Sequence, residues 1–80
     1  MRQKNGKRVV NVNANKLKGK IVERGMTVGR LAQEVGMDRA TMYRKLKDGS
    51  FTVKEAQLIG LALGLTKQDV MDIFFNDYVA

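Results

Sequence analysis

The sequence predicts an all-α domain, a compact arrangement of five short helices preceded by a basic N-terminal arm or short strand, and three observations carry that prediction. Gly25, Gly36, Gly49 and Gly64 each follow an amphipathic stretch, the place where a left-handed helix end favours glycine. A residue suited to capping a helix N-terminus stands two or three positions after each of them: Thr27, Asp38, Thr52 and Thr66. The chain holds no proline, and only Arg8-Val9-Val10-Asn11-Val12 has the composition of an extended segment.

The first helix is expected over residues 13–24, with Ala14, Leu17, Ile21 and Val22 on one face and Lys16, Lys18, Lys20 and Arg24 mainly outside. The second opens at Thr27 and runs to Val35, turning Leu31, Ala32 and Val35 inward. Asp38 caps a third that reaches about Lys47 and buries Met42 and Leu46. Thr52-Val53-Lys54-Glu55 resembles a capping box, and Thr66-Lys67-Gln68-Asp69 repeats the pattern with Asp in the last place. These two open the fourth and fifth helices, the fifth spanning residues 66–76. Residues 1–12 then form the arm and residues 13–80 a single domain, because a chain of 80 residues has room for one core and not two.

Fifteen Lys and Arg against eight Asp and Glu leave a formal charge of +7, which points to a polyanionic partner. The excess is uneven: residues 1–50 carry a net +9 and residues 51–80 a net −2. With no Cys and no His, the usual zinc ligands, the thiol nucleophile and the commonest general base are absent, so neither catalysis nor a metal or other cofactor is expected. No apolar run approaches the roughly 18 residues of a membrane-spanning helix, and no apolar stretch follows the basic start. A cytosolic location is expected, and the lack of Cys agrees with it.

Between residues 27 and 47 two short helices flank Gly36-Met37-Asp38, a spacing that defines a helix-turn-helix. Ala32 is small where the second helix of the pair must cross closely, and Gly36 accepts the left-handed turn. Leu31, Val35, Met37, Met42 and Leu46 fill the angle, leaving Arg39, Ala40, Tyr43, Arg44 and Lys47 to face solvent or a groove.

The stretch TVGRLAQEVGMDRATMYRKL, Thr27 to Leu46, resembles the signature of the lambda-repressor and Cro-type helix-turn-helix family, with the small Ala32 and the turn Gly36 four apart. The five-helix order fits that family from Ala14 to Phe75. More narrowly, Lys16-Leu17-Lys18-Gly19-Lys20-Ile21, Tyr43-Arg44-Lys45-Leu46 and Ile73-Phe74-Phe75 are similar to small Cro-like regulators of phages and prophages of low-GC Gram-positive bacteria. The resemblance implies a lambda-repressor-like fold, a third helix lying in the major groove of an operator, and Thr27 meeting phosphate through its hydroxyl and backbone N–H. The chain departs from the family in two places. Val28 stands where many members carry Gln, and Lys45 where an aliphatic residue is usual, with apolar Leu46 next.

On this reading Arg39, Ala40, Tyr43 and Arg44 read base edges, the arginines by bidentate contact to guanine O6 and N7. Tyr43 either meets a thymine methyl or a phosphate, or shields the helix-turn-helix core. Thr27, Arg30, Thr41, Lys45, Lys47 and Ser50 are the phosphate-binding candidates, while Asp38 serves as a cap because a carboxylate is repelled by phosphate. Arg2, Lys4, Lys7 and Arg8 form an arm that wraps DNA or enters a minor groove, or else a tail that adds solubility.

Val70, Ile73, Phe74 and Phe75 span two faces of the fifth helix. The resemblance implies a homodimer joined through some of Phe74, Phe75, Tyr78 and Val79; the competing reading has Ile73 and Phe74 closing the monomer's own core. The expected activity is sequence-specific binding of double-stranded DNA by a transcriptional regulator, a Cro-like repressor that needs no small-molecule effector. The alternative is a DNA-binding antitoxin or another protein-interaction module using the apolar C-terminal surface.

Overall fold

The computed structural model describes residues 9–75. Among them lie five helices and one two-stranded sheet, in the order β1 Val9–Asn11, α1 Ala14–Glu23, α2 Val28–Val35, α3 Arg39–Asp48, β2 Ser50–Thr52, α4 Val53–Leu63 and α5 Lys67–Phe74. The helices start and stop where local chemistry dictates. Asn13, Thr27, Asp38, Thr52 and Thr66 each accept a hydrogen bond from a first-turn backbone N–H, and both capping boxes form reciprocally, the one at Thr66 with Asp69. Gly25, Gly36, Gly49 and Gly64 all adopt positive φ.

The sheet adds to the helical fold something that sequence periodicity only half indicated. Residues 9–11 do extend, and they pair antiparallel with Ser50–Thr52 in the register Val9 to Thr52, Val10 to Phe51 and Asn11 to Ser50. Alternation puts Val10 and Phe51 inward, both buried. Two further hydrogen bonds fasten this segment: Val12 N–H donates to the Gly49 carbonyl at 2.7 Å, and Asn13 N–H to the Ile73 carbonyl at 2.8 Å. The packed unit therefore includes β1, in the segment expected to be an arm or a short strand.

One core runs through the molecule, formed by Val10, Leu17, Ile21, Leu31, Ala32, Met42, Leu46, Phe51, Ala56, Ile59, Leu63, Ile73 and Phe74. α2 lies against α3 and α4, and α1 bridges α2 and α5. Val22, expected inward, is instead 74% exposed: Leu17 and Ile21 alone fill the space beneath α1. Arg24 is also occupied, its guanidinium donating to the carbonyls of Leu63 at 2.7 Å and Gly64 at 3.3 Å at the C-terminal end of α4. Between α1 and α5, Lys20 Nζ lies 3.1 Å from Glu23 and 3.5 Å from Asp69. The Glu23 hydrogen bond is the main cause that raises the Lys20 ammonium above its ordinary pKa. The backbone N–H of Thr66 is the main cause that lowers the Asp69 carboxyl.

The end of α3 is the tightest turn. At Gly49, φ +69, an added Cβ would lie 3.2 Å from the Val12 carbonyl oxygen, whereas at Gly36, φ +73, it would meet nothing within 4 Å. Gly36→Ala should therefore cost only the left-handed strain, about 1 kcal/mol, and Gly49→Ala that strain plus displacement of β1, about 2 kcal/mol or more. Urea unfolding of the two variants checks the ranking; equal midpoints would count against the close approach of Val12 and Gly49.

Candidate nucleic-acid interface

α2 and α3 are joined by three residues whose backbone bonds set the angle between them. Gly36 turns left-handed, Met37 N–H donates to the Ala32 carbonyl at 2.8 Å, and the Asp38 carboxylate accepts from the N–H groups of Ala40 at 3.1 Å and Thr41 at 3.4 Å. Ala32 is buried at the crossing, and Val35 and Met37 flank the core as expected.

Met42 and Leu46 anchor α3 inward, so its remaining faces are fixed by helical geometry. Arg39, Ala40, Tyr43, Arg44 and Lys47 are all exposed, Tyr43 to 50%. The Tyr43 ring stands beside Arg39, whose guanidinium carbon is 5.9 Å from the ring centroid. Thr27 caps α2 from an exposed position, its hydroxyl oxygen accepting from Arg30 N–H at 3.1 Å. The Arg30 side chain makes an exposed pair with Glu34 at 3.2 Å, weak enough to exchange for another anion. Thr41 is half-buried at the edge of the exposed face.

Two phosphate candidates are placed elsewhere. Lys45 turns away from Arg44 toward α4, where Nζ lies 3.1 Å from Glu55 Oε1, both side chains about one-fifth exposed at 19% and 23%. That same oxygen accepts from Thr52 N–H at 2.9 Å, so Lys45 ties α3 to the capping box of α4 and is not displayed for phosphate. Its place follows from the register of α3: with Met42 and Leu46 inward, position 45 falls on the α4 side. Ser50 belongs to β2, half-buried opposite Asn11, and not to the face of α3.

The dimer candidates divide in the same way. Phe74 is 1% exposed and meets Phe51 edge-on, with centroids 6.4 Å apart and planes at 90°, so it closes the monomer's core and offers no interface. Phe75 is half-buried against that core. Tyr78 and Val79, the arm residues Arg2, Lys4, Lys7 and Arg8, and the expected end of the last helix at residue 76 lie outside the described residues.

A further apolar surface is on α4, within the aliphatic run Leu58 to Leu63. Leu61 is 80% exposed and borders a groove of about 370 Å³ with Ala56, Gln57, Gly60, Leu65 and Val70. Every residue from Leu58 to Leu63 is apolar or glycine, so no periodicity marked Leu61 as the outward one. Among the described residues no group of His, Cys, Asp and Glu is placed to hold a metal, and no helix is long and apolar enough to cross a membrane.

The arrangement defines a small helical protein with a short sheet and a solvent-facing, cation-rich helix, α3, beside a three-residue turn. Comparison with protein-family models, curated proteins and solved structures finds no match for this chain.

Proposed function

We propose that this chain is a sequence-specific double-stranded DNA-binding regulator, a Cro-like repressor of phage or prophage type acting as a homodimer. The observation that carries the reading is the exposed face of α3, where Ala40, Tyr43, Arg44 and Lys47 stand together while Met42 and Leu46 fix the helix from behind. A helix presented in this way enters a major groove. There Arg44 offers two parallel N–H donors to guanine O6 and N7, the Ala40 methyl allows close approach beside a thymine methyl, and Lys47 neutralises phosphate. Thr27 and Arg30, at the first turn of α2, flank the same groove. Two copies pair their half-sites and supply the contacts that one module lacks, and occupancy of an operator blocks polymerase by sterics. Such a mechanism needs no cofactor and no effector.

The test is selection from a randomised duplex library at about 150 mM salt, where screening is physiological. An enriched inverted repeat with half-sites about 10 base pairs apart supports the dimeric operator reading. Failure to retain any duplex rejects it.

A second reading, a protein-interaction module such as a DNA-binding antitoxin, is favoured by one observation: the exposed Leu61 beside the groove of Gly60 and Val70. Solution mass separates the two. A clean dimer assigns the apolar surface to self-association, and a monomer that sticks at higher concentration assigns it to another protein.

A further inference from the structure

Arg39 is set apart from the other cations of α3. At about 100° per residue, Tyr43, Lys47, Ala40 and Arg44 run across the exposed face, Arg44 directly opposite Met42 and Leu46, with Arg39 on the margin nearest the buried side. On its margin Arg39 folds over the first turn of α2. A Cβ added to Gly29 would lie 3.4 Å from Arg39 Nε and 3.7 Å from its Cδ and Cζ, ordinary contact distances, so the Arg39 side chain is seated directly against the backbone of Gly29. Tyr43 closes the other side, its ring centroid 5.9 Å from the guanidinium carbon. Among the described residues Arg39 enters no ion pair, so its full charge is available. An arginine that reads guanine must extend along the groove floor with two N–H groups in the plane of the base edge. One laid sideways across a neighbouring helix faces the groove wall, where the phosphates run.

We infer that Arg39 is a phosphate-contacting residue of the interface, positioned by the Gly29 seat and the Tyr43 ring, and that base reading rests on Ala40, Tyr43 and Arg44 without it. The inference rests on the DNA-binding reading above and offers a different role for Arg39 from the base reading expected from the sequence. It assigns the two arginines of one helix to different tasks.

The full chain and its Arg39→Ala, Arg39→Lys and Arg44→Ala variants are titrated by fluorescence anisotropy against the selected operator, its single-base variants and a scrambled duplex. Arg39→Ala should weaken operator and scrambled duplex by the same factor and leave the ranking of the base variants unchanged. Its plot of log affinity against log salt should be shallower by about 0.9 per protomer, equivalent to a loss about 3.5-fold smaller between about 50 and 200 mM salt. Arg39→Lys should keep the parent slope and ranking, because counterion release follows the charge that neutralises the phosphate. Arg44→Ala should lose operator affinity selectively and flatten the ranking at one base pair. A selective loss of operator affinity in Arg39→Ala, with one base pair relaxed, overturns the assignment while leaving the DNA reading intact; so does an unchanged affinity on both duplexes. If the parent chain binds no duplex at low salt, the DNA reading itself falls and the assignment with it.

Discussion

Phe51→Ala should remove a large part of the stability of the whole domain. The ring is fully buried at the centre of β2, opposite Val10 and edge-on to Phe74. It is the side chain through which the sheet, the end of α3 and the last helix share one core. Truncating a buried Phe costs about 3–5 kcal/mol through lost transfer energy and the cavity left behind. A domain of this size has only about 4–12 kcal/mol in total. Each kcal/mol lowers the midpoint by roughly 4–8 °C, so thermal unfolding followed by circular dichroism should show a fall of 12 °C or more. A midpoint within a few degrees of the parent would mean that the Phe51 and Phe74 rings are not the shared centre of the core. A cycle with Phe74→Leu isolates the ring-on-ring part, about 0.5–1.5 kcal/mol beyond area burial.

That dependence explains which parts of the fold were legible in the sequence. Helix ends are written locally: a Thr or Asp side chain meets an N–H two or three residues on, and a glycine supplies the left-handed exit, so all four positive-φ glycines and both capping boxes could be read directly. β2 is only Ser50-Phe51-Thr52, shorter than any periodicity can mark, and its partner Val9–Asn11 lies far earlier in the chain. The place of Ser50 in that strand could not be read for the same reason. Lys45 and Phe74 went astray for a related one. Each sits on a helix whose face was known only approximately, and the tertiary neighbours Glu55 and Phe51 decided where the side chain went. The exposed set on α3 was legible because Met42 and Leu46 are its only large aliphatic residues and leave one way for the helix to face. The seat under Arg39 was not, since nothing in a linear reading brings Gly29 beside it.

Salt dependence carries the largest effect expected of the proposed function. Lys47 and Arg39 are exposed cations without an ion-pair partner among the described residues, and Arg30 has only a solvent-exposed one. If each neutralises one phosphate, a homodimer releases counterions at six positions, and log affinity should fall with log salt at a slope of about −5. Between about 50 and 200 mM salt that is a loss of roughly a thousandfold on operator and random duplex alike. A monomer carrying half of these contacts should lose only about 40-fold over the same range. The slope therefore reports how many copies engage the duplex, independently of which base pairs they prefer. Lys45 should contribute nothing to it: held by Glu55 against the capping box of α4, it is already neutralised within the protein. Lys45→Ala should leave the slope unchanged, whereas Lys47→Ala should make it shallower by about 0.9 per protomer. An equal change for the two lysines would show that DNA draws Lys45 away from Glu55, and would place the α4 side of α3 against the phosphates as well.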